Sequence, residues 1–331
     1  MTPSLGEGME TGPFVRVEER QGCVWVILDR PPLNLIVPEM VAGLKAAFQM
    51  LARDSSVRAA IVTGAGRAMT AGMQLQFLLG LPAAHARAFI TSLHEAIEAV
   101  HEAPFPTVAM VNGACLGAGF ELAMACDLRT AAAGAPLGLP EVRVGIPSVI
   151  EAALLPALIG PGRAAEVLLT GDSVTAETAL AWGLVNRVAP AADLERVTLD
   201  LAGRIVECGP AAIRLQKELI IRWRNTDLPA AIEAGIDAFA RSYATDEPRE
   251  AMRAYLEKRP PRLRLGPHRS RTDQALGGRR TRRGRGGVLR PPPTAYRSPW
   301  SRSHSWAAVS SSRGAEGLRT HLPGPAASSV R

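Results

Sequence analysis

The chain is poor in lysine: only Lys45, Lys217 and Lys258 occur in 331 residues, so 38 − 3 = 35 of its basic residues are arginine. Their distribution is uneven. Residues 265–331 hold 13 Arg, no Lys, one Asp and one Glu, a balance of 13 − 2 = +11. With a formal charge of +7 overall, residues 1–264 carry 7 − 11 = −4. The basic character belongs to a tail, which excludes reading the whole chain as a nucleic-acid binder from its isoelectric point. The four cysteines (Cys23, Cys115, Cys126, Cys208) form no CxxC pair, and six histidines supply no metal-ligand rhythm beside them. A disulfide framework and a metal cluster are therefore not expected, and the cysteines read as free thiols in a reducing compartment. No run approaches 18 consecutive apolar residues, and the opening "MTPSLGEGMETGPF" lacks a charged-then-apolar pattern. A membrane partner is not expected, and the chain reads as cytoplasmic.

What is present is enough for a sizeable core, with 47% apolar residues. "FVRVEE" (14–19) and "CVWVILDR" (23–30) read as strands joined by a tight turn, and 37–54 carries Met40, Val41, Leu44, Phe48 and Leu51 at helical spacing. The strand 57–66, a helix over 84–103 and the strand 107–113 continue the alternation, which predicts βαβ units and a largely parallel sheet in an α/β fold. From about residue 150 the pattern is helical. After "EKRPPR" it turns into an Arg-, Gly-, Pro- and Ser-rich stretch without apolar period, which predicts disorder from about 265. Such a tail reads either as an arm for RNA or another acidic partner or as run-on translation of GC-rich DNA; beyond it, no nucleic-acid partner is expected.

Residues 113–127, "GACLGAGFELAMACD", crowd glycines in front of a glutamate set among apolar residues. The stretch follows a strand and opens a helix, so the amides near Gly117, Ala118 and Gly119 are unpaired donors at the positive end of a helix dipole. Such a turn suits a phosphate or a developing oxyanion. A dinucleotide fingerprint is not met, because Leu122 stands where its third glycine belongs. A second glycine turn, "TGAGRAMTAGMQL" (63–75), offers the amides of "AGM" (71–73) at another strand end. Each turn alone reads as an ordinary βα connection. The carboxylates change that: Glu121 in the first turn of an apolar helix and Glu141 in "APLGLPEVRVGIP" can together hold one water as general acid and general base.

These residues resemble the crotonase, or enoyl-CoA hydratase/isomerase, superfamily. The matching stretches are "LDRPPLN" with Asn34, "VRAAIVTGAGRAMTAGMQL", "VNGACLGAGFELAMACDLRTAA", "APLGLPEVRVGIP", "LLTGDSVTAETALAWGLVNRV" and "FARSYATDEPREAMRAYLEKRPPR", running from about 14 to 263. The resemblance implies a crotonase-like ββα spiral core (14–200) and a helical region (201–264) that makes a homotrimer or a dimer of trimers; a flexible N-terminus (1–13) and the disordered basic tail (265–331) are expected to flank them. It implies hydration of a 2-enoyl-CoA thioester, with double-bond isomerisation or a non-catalytic binding role as the alternatives. By the same resemblance Glu121 and Glu141 are catalytic, and the backbone amides of Met73 and Ala118 form the oxyanion hole. Ala71, Gly72, Gln74, Leu75, Gly117 and Gly119 are expected to line the substrate; Arg67 and Lys258 are read from their charge as candidates to meet its CoA arm, and CoA enters only as part of that substrate, with no other cofactor and no metal. The chain departs from the family pattern at Gln74, where Asp is usual, at Met69 in "AMTAGM", and in "PSVIEAALL" (147–155), which replaces a glycine-rich stretch and adds the carboxylate of Glu151.

Overall fold

The alternation of short apolar runs and helical stretches folds into two sheets with helices around them. The structure, a computed structural model, describes residues 9–263. Strands β1 (Met9–Gly12), β2 (Val15–Arg20) and β3 (Cys23–Leu28) lead into helix α1 (Pro38–Arg53). Then follow β4 (Ala60–Gly64), β5 (Ala68–Thr70), α2 (Leu75–Leu79), α3 (Ala83–His101), β6 (Thr107–Val111), β7 (Ala114–Leu116), α4 (Ala118–Ala125), β8 (Leu128–Ala132) and β9 (Pro136–Gly138). Two 3-10 turns, Pro140–Val144 and Glu151–Leu154, precede α5 (Leu155–Ile159), α6 (Pro161–Thr170), β10 (Ser173–Thr175), α7 (Ala176–Ala181) and β11 (Arg187–Ala189). Helices α8 (Leu194–Val206), α9 (Pro210–Trp223), α10 (Leu228–Ser242) and α11 (Glu247–Leu256) complete the described chain.

The larger sheet has the order β1-β2-β3-β4-β6-β8-β11, antiparallel through β3 and parallel from β3 onward. Every residue of β3 is buried, as expected of a continuous apolar run between a helical layer and the rest of the core. Against it α1 starts on Pro38, whose missing N–H is no loss at a first helical position, and buries Met40, Val41, Leu44, Ala47, Phe48 and Leu51. The smaller sheet, β10-β9-β7-β5, is made from segments that leave the larger one: β4 continues into β5, β6 into β7 and β8 into β9. Because β5, β7 and β9 run parallel and side by side, the turns that follow them lie along one sheet edge.

Asn34 locks the turn that leads from β4 into β5. Fully buried in a left-handed conformation (φ 51°) that asparagine tolerates better than most residues, it donates from Nδ2 to the carbonyls of Ala65, Ala68 and Met69. Its Oδ1 accepts from the Arg30 amide. Helix α4 is buried on all eight residues, an all-round apolar helix of the interior. The buried Arg129 guanidinium donates to the carbonyls of Ala123, Met124 and Cys126 at its C-terminal end, satisfying acceptors that the helix itself leaves open.

The C-terminal helices are tied to the sheet by buried charge. Lys217 of α9 pairs with Asp127 at 2.7 Å, and Asp127 in turn accepts from the amide and hydroxyl of Thr107. Arg214 donates to the carbonyls of Pro104, Ser55 and Val57.

The segments read as strands and helices from the sequence coincide with β2, β3, α1, β4, α3, β6 and α4, while three expectations are corrected. The N-terminal 1–13 segment is not irregular throughout, since Met9–Gly12 pairs antiparallel with β2. A division at 200/201 would cut α8, a continuous helix that packs on β6 and β8. The part after 150 is not purely helical: β11 joins the larger sheet parallel to β8, and β10 joins the smaller one. These strands are three residues long, too short to display a period of two. The expected disordered tail at 265–331 lies outside the described residues, as do residues 1–8 of the expected flexible N-terminus. Among the described residues no helix is long and apolar enough to cross a membrane.

Candidate active site

The edge formed by the ends of β5, β7 and β9 gathers the residues singled out in the sequence. Thr70 at the end of β5 lies opposite Cys115, and Leu116 at the end of β7 lies opposite Gly138. Met73 follows the first strand, Ala118 the second and Glu141 the third. The Gly72 and Gly117 backbones are in contact, for a Cβ built on Gly117 would stand 3.8 Å from the Gly72 Cα. The turn at 71–74 is fixed by a hydrogen bond that the Ala71 amide donates to the Leu33 carbonyl, and the Gly72 amide donates to the Thr70 hydroxyl. Around Met73, Ile36 donates to the Gly72 carbonyl and Gln74 donates to the Ile36 carbonyl. Those bonds leave the Met73 amide without a protein acceptor among the described residues, and the Ala118 amide, first in α4, is left open likewise.

Two glycines make this approach possible. Gly117 has φ 56° and ψ −132°, a conformation nearly confined to glycine, and a Cβ there would meet the Glu141 Oε1 at 2.7 Å. Gly119 lies so close to β5 that a Cβ would stand 2.1 Å from the Thr70 Cγ2. Any side chain at 117 would push Glu141 away, and any at 119 would lift α4 from the sheet.

Glu121 is one turn into α4 and only 4% exposed. Its Oε1 accepts from the amides of Ala152 (3.0 Å) and Ile150 (3.2 Å), and Oε2 has no protein donor among the described residues. Burial pushes this carboxyl up to about 7; the negative charges of Glu141 and Glu151 add to the rise, and the two amide bonds work against it. Glu141, half-buried in the 3-10 turn after β9, is oriented by the Ser148 hydroxyl, which donates to Oε2 at 2.7 Å. The arrangement places two open backbone donors and two carboxylates of different environment around the end of one buried helix. That combination can hold an anionic oxygen at the amides and move a proton at the carboxylates.

Of the other residues, Ala71, Gly72, Gln74, Gly117 and Gly119 belong to these turns, and Leu75 opens α2 with its side chain exposed. Arg67 and Lys258 do not join the cluster. Arg67 precedes β5, at the opposite end of that strand from Met73, and its carbonyl faces Gly113. Lys258 is exposed in a left-handed turn beyond α11. Both were singled out as cations able to meet an anionic substrate arm, a criterion that says nothing of position along the chain's path. Sequence reasoning missed Ser148 and His94. Ser148 sits in the very stretch that departs from the glycine-rich pattern; His94 gives no signal, since it is one polar residue on an amphipathic helix.

The sequence profile described as enoyl-CoA hydratase/isomerase matches residues 18–264. A crotonyl-CoA hydratase of Syntrophomonas wolfei is 35% identical over 246 residues, 73% of this chain and 95% of the relative. A short-chain-enoyl-CoA hydratase of Clostridium acetobutylicum is 32% identical over 245 residues, covering 73% and 94%. The crystal structure of an enoyl-CoA hydratase from Bacillus anthracis superposes with a TM-score of 0.73 at 32% identity, covering 76% of this chain and 98% of that one.

The Glu121 environment has a consequence for stability. A carboxyl at about 7 rather than 4.5 opposes folding by about 3 kcal/mol once it must ionise. Because the folded value is raised, no penalty applies below about pH 4.5; it grows as pH rises toward 7 and is constant above. Glu121→Gln is therefore expected to be more stable than wild type by roughly 1–3 kcal/mol at pH 8, with the gap closing toward pH 5. Urea unfolding of both proteins across that range checks this, and a gap that does not vary with pH contradicts it.

Proposed function

We propose that this chain, which belongs to the enoyl-CoA hydratase/isomerase family, is an enoyl-CoA hydratase in which Glu121 and Glu141 share one water beside an oxyanion hole made by the Met73 and Ala118 amides. The observation that carries this reading is the meeting, at the ends of β5, β7 and β9, of two acceptor-free amides with two carboxylates. The thioester carbonyl lies against the two amides. Glu121 Oε2, the oxygen without a donor among the described residues, takes a proton from the water as the water oxygen bonds to C3 of the 2-enoyl group. The electron pair of the C2–C3 double bond moves toward the carbonyl, and the enolate-like charge is held by the amides. Glu141, which enters the cycle as the acid, gives its proton to C2 to complete the 3-hydroxyacyl-CoA, and the proton held on Glu121 then passes to Glu141. Over the full cycle one water is added and both carboxyls regain their starting protonation.

Magnitudes support this division. A buried carboxylate near 7 is a far stronger base than one at 4.5 and is still half ionised at neutral pH, which is where general base catalysis is most effective. An oxyanion donor is worth about 3 kcal/mol of barrier. CoA enters as part of the substrate, and a short 2-enoyl group is favoured by the names of the relatives, crotonyl-CoA and short-chain-enoyl-CoA hydratase.

The same reading includes a homotrimer or dimer of trimers. Its support is one face of α10, where Leu228, Ile232, Ile236, Phe239 and Tyr243 recur at helical spacing and are exposed, Phe239 by 66%. Sedimentation equilibrium is expected to give a multiple of three chain masses for wild type and a smaller species for Phe239→Asp. A monomeric wild type would contradict the assembly.

For the chemistry, crotonyl-CoA hydration followed by loss of enoyl-thioester absorbance is expected to fall roughly 100- to 10,000-fold in kcat for Glu121→Gln and for Glu141→Gln. The wild-type rate is expected to fall as pH drops through about 7, because the base must be ionised. Undiminished hydration by Glu141→Gln, or a product other than the 3-hydroxyacyl thioester, overturns the reading.

A further inference from the structure

The turn that holds Glu121 contains a second buried carboxylate. Glu121 Oε1 is gripped by the amides of Ile150 and Ala152, and the residue between them, Glu151, is 7% exposed. Glu151 Oε1 lies 2.8 Å from His94 Nδ1 on α3, while Oε2 has no hydrogen-bond partner among the described residues. His94 Nε2 stands 3.9 Å from Glu98 Oε1, so the contact continues along α3 to the surface. An unpartnered buried polar atom costs about 1–3 kcal/mol, and an apolar side chain would fill the same space without that cost. Something other than packing favours a carboxyl here.

The groups that act on it are few. From α3 come His94, whose hydrogen bond and charge favour the ionised carboxylate, and Glu98, which opposes it. From α4 comes Glu121 itself, with Glu141 beyond; α5 contributes no titratable side chain. Burial is the main influence on the Glu151 carboxyl and raises it.

We propose that Glu151 is a positioning residue for Glu121: anchored to α3 by His94, it fixes the 150–152 turn whose amides hold the catalytic carboxylate and sets a second negative charge beside it. The inference rests on Glu121 being the base of the hydration. Two consequences follow from the two halves of the role. Removing the charge lets Glu121 ionise at lower pH, because Glu151 is one of the charges that raise it. Removing the anchor loosens the grip on Oε1, and a misplaced base lowers kcat without weakening substrate binding.

The test is the pH profile of crotonyl-CoA hydration by the full chain from pH 5.5 to 9, for wild type, Glu151→Gln and Glu151→Ala, with Glu121→Gln as control. In both Glu151 variants the acidic limb is expected to move down by roughly half a pH unit. The plateau kcat is expected to fall about threefold in Glu151→Gln, which keeps a hydrogen bond to His94, and about thirtyfold in Glu151→Ala, with KM changed less than about threefold. A purely structural Glu151 would lower kcat and the thermal midpoint together and leave the limb in place; that outcome, in whichever variant folds, overturns the proposal, as does a loss confined to KM. Wild-type chain labelled with 13C in its glutamate carboxyls gives the same answer without a variant: the Glu121 signal is expected to respond to a second titration, that of Glu151, and a one-step curve overturns the proposal. An active Glu121→Gln would instead overturn the assignment of the base, so the two failures are distinguishable.

Discussion

Burying the Glu121 carboxyl in the first turn of an interior helix is the constraint around which the site is arranged. A carboxylate in such a place is tolerable only where donors and dipoles meet it, and here they come from two directions. The N-terminal end of α4 lies beside it, and the amides of Ile150 and Ala152 hold one oxygen. The unfavourable remainder is what raises the carboxyl to about 7 and makes it useful near neutrality. Stability and activity therefore draw on one residue in opposite senses.

Closeness of backbones is the second requirement, and it descends from sheet topology. Three segments leave the larger sheet, lie parallel as β5, β7 and β9, and end together. Asn34 clamps the turn before β5, and Gly119 lets α4 sit on Thr70 with no intervening side chain. Gly117 accepts a backbone conformation that few other residues adopt and leaves room for Glu141. The crowd of glycines before a glutamate is thus a statement of distance: amides, helix terminus and two carboxylates have to share a space too small for extra Cβ atoms.

Much of this was legible beforehand. The apolar runs at 23–28 and 107–111 and the helical spacing of Met40, Val41, Leu44, Phe48 and Leu51 determine their elements through burial alone, and the sequence shows burial directly. Glu121 and Glu141 stood out because a carboxylate amid apolar residues and a carboxylate between glycine and proline each break a local pattern. Three-residue strands such as β7 and β11 left no trace, since their pairing is decided by long-range register rather than by their own residues. His94 was invisible for a related reason: a side chain recruited across 57 residues by a fold carries no mark of its partner in its neighbours, while Ser148, only seven residues from Glu141, sits in an irregular stretch with no period to read. Arg67 and Lys258, picked out by charge alone, stand outside the cluster at the strand ends, because charge carries no information about position in the fold.

The central claim is spatial, that one thioester carbonyl sits between two strand ends while one water sits between two carboxylates. The most direct test is a crystal structure of the chain with butanoyl-CoA, a saturated thioester that cannot be hydrated. The account requires the thioester oxygen within about 2.7–3.1 Å of both the Met73 and Ala118 amides, and an ordered water within hydrogen-bond reach of both Glu121 and Glu141. A carbonyl bound away from those amides, or a water held by neither carboxylate, would contradict it.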